Sequence, residues 1–235
     1  MNLPERYPPW GWVHVLVVLL VILGLGLLYG RYGSFLFFYL VYKYHFPATA
    51  VAEFLLSYAV QFLATVVAVL AAVRVAGGTL KDLGFRQGRF LAVLKWGGLG
   101  GFILFIFISG LGFVLEHLVP QLPPQPFEVV LRETGNLGDF AFLLLAGAFM
   151  APLAEEMYFR GMAYPVFSSM LGKKWGIVVS ALFFGLMHFD LWRLIPLVLG
   201  GAALAYIYEK SDTIWAPWLA HGIWNGCMAV ALFCT

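Results

Sequence analysis

The apolar residues of this chain fall in long uninterrupted blocks separated by short polar breaks. A helix needs about 20 mostly apolar residues to cross a bilayer. Blocks of that length occupy 10–29, 54–73, 96–115, 140–159 and 214–234, and each predicts a transmembrane helix. Two shorter blocks, 175–189 and 194–208, predict spans that lean on protein neighbours. The block 34–46 is too short to cross alone; it predicts an extension of a neighbouring helix or an interfacial segment. Apolar and polar residues do not alternate with period two, which argues against strands. The expected fold is therefore all-α: a polytopic transmembrane bundle of about seven to eight helices with an intramembrane cavity.

The polar breaks orient the bundle. The stretch 74–90 is basic, with Arg74, Lys81, Arg86 and Arg89, and Lys95 follows it. The stretch 116–139 is proline-rich and acidic, with Arg132 its one positive side chain. Positive charge favours the cytoplasmic side, so the first break is expected inside and the second outside. Seven spans with a cytoplasmic N-terminus satisfy both and also place Lys173, Lys174 and Lys210 inside; Arg31 and Lys43 then fall outside, against the rule. Glu5 and Arg6 precede the first block, but that block is longer than a signal-peptide core of ~7–15 residues and no small-x-small pattern follows, so a retained span is expected. Gly97 and Gly101 form a G-x-x-x-G in the third span, a pattern that lets helices approach closely.

Composition agrees. Hydrophobic residues make up 62% of the chain and charged residues 11%, against about 25% charged in soluble domains. A net charge of +2 with no basic stripe argues against a nucleic-acid partner. Cys227 and Cys234 are seven positions apart on one helix. That is roughly 10 Å, too far for a disulfide, and they read as packing residues.

The charges that remain within the apolar blocks are then conspicuous. In "APLAEEMYFRG", Glu155, Glu156 and Arg160 follow a run with no charge at all. An intramembrane charge is expensive and points to function. Residues four apart share a helix face, so Glu156 and Arg160 can pair, while Glu155 lies about 100° away and has no partner at that spacing. All three could instead line a polar interface. Further on, "FFGLMHFD" places His188 four residues after Phe184, and "WLAHGIWNG" places His221 and Asn225 on one face of the last span. A carboxylate, two imidazoles and a carboxamide on three spans make a hydrolytic inventory. Glutamate can take a proton from water, and histidine and asparagine can donate to an oxyanion. H-E-x-x-H is absent, and no other familiar metal spacing occurs, so neither metal nor cofactor is expected. G-x-S-x-G is also absent; Ser168, Ser169 and Ser180 lack a nucleophile motif, and Cys227 lies about 200° round from Asn225.

Taken together, these residues resemble the CPBP family, the CAAX proteases and bacteriocin-processing enzymes. The family's E-E-x-x-x-R is similar to Glu155, Glu156 and Arg160; its F-x-x-x-H to Phe184 and His188; its H-x-x-x-N to His221 and Asn225. The motifs stand in the family's order, and the likeness covers residues 139–235, a catalytic core behind N-terminal helices and loops at 1–138. The resemblance implies a metal-independent glutamate-type intramembrane endopeptidase. Glu155 and His188 would activate water, His221 and Asn225 would hold the oxyanion, and Arg160 would position Glu155 and Glu156. Its substrate would be a membrane-associated peptide or protein, prenylated or not, in a bacterial or archaeal membrane; the oligomeric state is left open. A water-accessible cavity open to one side, the cytoplasmic one, is expected. The predicted depths of His221, ~10 Å from the cytoplasmic end of its span, and of His188, near the far end of its own, fit poorly together unless helices tilt or start deeper. Two other classes draw on the same residues: a proton-coupled transporter using a Glu/His relay, and a non-catalytic scaffold or bacteriocin-immunity factor. The absence of two similar halves argues against the first. The presence of both a base and oxyanion donors argues against the second.

Overall fold

The computed structural model describes residues 7–87, 90–119 and 122–234; Glu5, Arg6 and Arg89 lie outside the described residues. Every regular element among these residues is helical. Helix α1 is Trp12–Tyr44, α2 Ala50–Val75, α3 Phe90–Leu118 and the short α4 Pro126–Arg132. The stretch Leu137–Leu186 breaks at Gly172 into α5 (137–171) and α6 (173–186). Helices α7, Leu194–Ser211, and α8, Trp215–Phe233, complete the chain. Among the described residues, four helical stretches, Trp12–Tyr44, Ala50–Val75, Phe90–Leu118 and Leu137–Leu186, are long and apolar enough to cross a membrane.

The short apolar block 34–46 is the continuation of α1, which runs unbroken past Arg31 to a left-handed cap at His45 (φ 53°). Thr49 then starts α2 by accepting a hydrogen bond from the Ala52 amide at 3.1 Å, and Asn136 starts α5 by accepting from the Asp139 amide at 2.9 Å. Such caps satisfy backbone donors that the first helical turn leaves unpaired.

Helix α5 extends well beyond its predicted block, although Pro152 and Pro165 lie within it. Each proline removes a backbone donor from the helical ladder. A π-helical stretch precedes each, at Ala146–Met150 and Met157–Ala163, and these wider turns absorb the interruption. The chain reverses at Gly172, whose φ of 76° and ψ of 161° lie in a region essentially restricted to glycine.

The polar breaks pack at different places along the bundle. Arg86 pairs with Asp212 at 2.9 Å, and the Ile214 amide donates to the Gly84 carbonyl at 2.9 Å, so the basic break lies against the α7–α8 turn. The acidic break meets the α6–α7 turn, where Arg193 donates to the Pro123 carbonyl at 2.8 Å. One apolar core joins α1, α2, α5 and α6 and includes Val18, Val69, Met162 and Phe184; a second joins α3, α7 and α8. Helix α1 and the residues just before it are tied to α5 by two side-chain bonds, from Trp10 Nε1 to the Met162 carbonyl and from the Tyr158 hydroxyl to the Val15 carbonyl, each 3.0 Å. The G-x-x-x-G glycines bring α3 against α8: a Cβ at Gly97 would lie 2.8 Å from the Ala216 carbonyl, and one at Gly101 2.9 Å from Ala220.

Candidate active site

Helices α5 and α8 and the turn that follows α6 bring Glu155, Glu156, His188 and His221 to one level, and the register can be followed from the glycines. Helices α5 and α6 form an antiparallel hairpin about Gly172. Residues equidistant from that glycine face each other: a Cβ at Gly176 would strike Ser168, and the Arg160 guanidinium lies 4.4 Å from the centre of the Phe184 ring. The same symmetry puts His188 level with Glu156. For α8 the marker is the basic break. Gly161 packs under the Leu83 carbonyl, where a Cβ would come within 2.8 Å, and Ile214 bonds to the adjacent Gly84. Gly161 and Ile214 are thus at similar heights on antiparallel helices. Five or six positions back along α5 reach Glu155 and Glu156, and seven forward along α8 reach His221; both are displacements of roughly 8–10 Å. Helices α5 and α8 thus reach the same depth, and the hairpin register carries His188 to it. The apparent conflict in depth disappears because α5 continues past its apolar block and α6 starts from its far end.

At that depth the two glutamates have different surroundings. Glu156 and Arg160 are completely buried, 0% exposed, and paired at 2.8 Å. Arg160 also donates to the Gly201 carbonyl on α7 at 3.0 Å, and its guanidinium covers the Phe184 ring. Burial of a lone charge would be strongly unfavourable, so each of these groups depends on the other. The same Glu156 oxygen, Oε1, lies 2.8 Å from His221 Nδ1. A carboxylate facing Arg160 can only accept, so Nδ1 carries the proton and His221 Nε2 points away from Glu156. Trp224 stacks on the His221 ring, with centroids 5.5 Å apart at 27°.

His188 is fixed in the same way. Its Nδ1 lies 2.8 Å from the Phe184 carbonyl, which can only accept, so Nδ1 is the donor and Nε2 is left outward. Both outward nitrogens converge on Glu155: His188 Nε2 and His221 Nε2 are each 3.9 Å from Glu155 Oε2. That distance is too long for a direct hydrogen bond, and Glu155 Oε2 is buried with no hydrogen-bond partner among the described residues. Phe184 holds the group together, contacting His188 (4.5 Å between centroids), His221 (5.9 Å) and Arg160. Asn225 is differently engaged: its Nδ2 donates to the Gly147 carbonyl at 3.0 Å, deeper on α5.

Glu155 and His188 open onto a cavity of about 460 Å³. The α1 and α2 residues that line it include Tyr29, Tyr58 and Gln61 among apolar side chains. Sequence reasoning did not single out these three, because a lone tyrosine or glutamine in an apolar helix has no pattern that separates it from packing. Among the described residues, no set of three His, Cys, Asp or Glu side chains has the geometry to hold a metal ion.

Among the described residues, an all-helical fold with four stretches apolar enough to cross a membrane and a buried carboxylate–imidazole cluster defines the class: an integral membrane protein with a buried polar cluster. Residues 137–227 match the family model described as Type II CAAX prenyl endopeptidase Rce1-like, and over this segment the chain is similar to the CAAX proteases. It is 25% identical to the Bacillus subtilis (strain 168) protein called "Putative membrane peptidase YdiL" over 167 residues, 71% of this chain and 67% of the relative. It is 34% identical to an uncharacterized protein of Mycoplasma capricolum subsp. capricolum over 89 residues, 36% of this chain and 25% of that one. No solved structure matches the chain.

Proposed function

We propose that this protein is an intramembrane endopeptidase that hydrolyses peptide bonds of membrane-associated substrates with water activated by Glu155. The observation that carries the reading is the pair of 3.9 Å separations from Glu155 Oε2 to the two imidazole Nε2 atoms. An unpartnered carboxylate oxygen facing two ring nitrogens leaves a place for a water molecule within hydrogen-bond reach of all three. In this reading Glu155 removes a proton from that water while His188 Nε2 accepts its second hydrogen. The hydroxide attacks the scissile carbonyl, and Glu155 then passes the proton to the leaving amine. His221, held at Nδ1 by Glu156, directs Nε2 at the oxyanion and donates to it when that nitrogen also carries a proton. Arg160 pairs with Glu156 and Glu156 holds His221, so Glu156 and Arg160 position His221 without touching substrate. Asn225 offers its second N–H toward the oxyanion while its first ties α8 to α5. Residues 139–235 form the catalytic core, and 1–138 supply the α1 and α2 part of the cavity lining. Seven membrane crossings, α1, α2, α3, α5, α6, α7 and α8, give a bundle in which the basic break is cytoplasmic. The prenyl endopeptidase description of the family favours a lipidated C-terminal peptide as substrate.

The test is cleavage of a quenched fluorogenic prenylated CAAX-type peptide by the purified protein in nanodiscs. Glu155→Gln is expected to abolish turnover while leaving the detergent melting temperature unchanged, and EDTA or phenanthroline is expected to leave wild-type turnover intact. Wild-type rates in the Glu155→Gln variant would remove Glu155 from the mechanism. Loss of activity on chelation, restored by zinc, would replace the glutamate mechanism with a metal-dependent one.

A further inference from the structure

The part of the cavity lining that α1 and α2 supply carries polar groups that folding does not use. On α2, Ser57 and Thr65 turn their hydroxyls back onto their own helix, to the Phe54 and Gln61 carbonyls at 2.7 and 2.9 Å. Between them, Tyr58 and Gln61 face the cavity, and neither side chain makes a hydrogen bond to any described residue. On α1, the Tyr29 hydroxyl is buried and likewise unpartnered. Tyr58 lies within electrostatic reach of Glu155, so this row lines the same cavity as the carboxylate. Free hydrogen-bonding groups inside a bilayer are unfavourable, and their retention calls for a ligand that satisfies them.

The ligand chemistry follows from the groups. A carboxamide offers one acceptor and two donors, matching the N–H and C=O of an extended peptide, and a phenol donates to a carbonyl. A peptide entering an apolar cavity needs such partners, because each backbone group it leaves unpaired out of water carries its full desolvation penalty. The other cavity-lining side chains of α1 and α2 are mainly apolar and cannot provide them. These positions also lie outside residues 137–227, the part matched by the family model.

We propose that Gln61 and Tyr58 bind the backbone of the substrate peptide beside the bond facing Glu155, with Gln61 pairing to one peptide unit and Tyr58 donating to a neighbouring carbonyl. This rests on the peptidase reading. Both residues act on substrate binding rather than on the chemical step.

The experiment uses full-length protein in nanodiscs carrying Glu155→Gln, so that bound peptide is not consumed. The probe is a fluorescent farnesylated CAAX-type peptide, together with analogues in which single backbone amides near the scissile bond are replaced by esters. Binding is read by fluorescence anisotropy. Adding Gln61→Met or Tyr58→Phe is expected to weaken binding of the all-amide peptide about tenfold, the effect of one hydrogen bond of about 1.4 kcal/mol. One ester analogue is expected to bind the Glu155→Gln protein about tenfold more weakly, yet to bind no worse than the all-amide peptide once Gln61→Met is present. A merely structural role for Gln61 would lower the melting temperature without this coupling. Additive losses, or no measurable binding of the all-amide peptide, would overturn the inference. Should Gln61→Met fail to fold, the ester series on Tyr58→Phe decides by the same criterion. Cleavage of the all-amide peptide by the wild-type protein is scored separately. Binding with coupling but no cleavage would sink the peptidase reading and keep the peptide site; cleavage without coupling would do the reverse.

Discussion

At the residue scale, the adjacent glutamates divide by environment. Glu156 is enclosed and held by Arg160 and His221, whereas Glu155 borders the cavity with one oxygen unpartnered. Removing one member of a fully buried ion pair leaves an uncompensated charge and typically costs about 3–5 kcal/mol. Arg160→Met is therefore expected to lower the melting temperature in detergent sharply, while Glu155→Gln is not. Equal melting temperatures for Arg160→Met and wild type would show that the pair does not stabilise the fold. The Glu156–Arg160 pair was legible in the sequence because four-residue spacing on a helix is itself a contact rule. The convergence of both imidazole Nε2 atoms on Glu155 was not, since it depends on Nδ1 bonds to Glu156 and to the Phe184 carbonyl. Phe184 was visible as a motif letter, but its contacts with Arg160 and both histidines needed the packed hairpin.

At the element scale, close helix approach sets the geometry. A side chain at Gly101 would meet Ala220 and Ile223 on α8, the turn beside His221. Gly101→Leu is expected to separate α3 from α8 and destabilise the protein by about 1–3 kcal/mol, as overpacked cores do; unchanged thermal unfolding would show that α3 can move aside freely. The loop after His188 supplies a pH dependence. Burial tends to raise the Asp190 carboxyl, but hydrogen bonds from the Arg193 side chain and amide, the Arg193 charge and Gln125 outweigh it and hold the carboxyl below its ordinary range. Because the folded value is depressed, the stabilisation is present above the ordinary carboxylate value and is lost as pH falls through the folded one. Between pH 7 and 3, wild type is expected to lose melting temperature more steeply than Asp190→Asn; parallel curves would remove Asp190 as the cause. Block lengths announced most of the elements, but α5 outran its block because two π-helical stretches accommodate Pro152 and Pro165. Hydrophobicity carries no mark of such turns.

At the scale of the whole molecule, the basic break packs against the α7–α8 turn and the acidic break against the α6–α7 turn. The excess of positive charge is expected to hold the former in the cytoplasm. Single cysteines placed within 74–95 and 116–139, in a background lacking Cys227 and Cys234, can be challenged with an impermeant maleimide in intact cells. Labelling confined to 116–139 is the expected result, and labelling confined to 74–95 would invert the topology.

The buried arginine also bears on how the protein is made. As the chain emerges from the ribosome, α5 presents Glu155, Glu156 and Arg160 to the insertion machinery before α7 and α8 exist. Gly201 and His221, which satisfy Arg160 and Glu156 in the finished bundle, are synthesised later. Until they arrive, α5 holds polar groups that hydrocarbon cannot solvate. Its stable settling in the bilayer therefore waits on the C-terminal helices, so a nascent chain stopped before α7 should hold α5 only loosely, open to extraction and proteolysis.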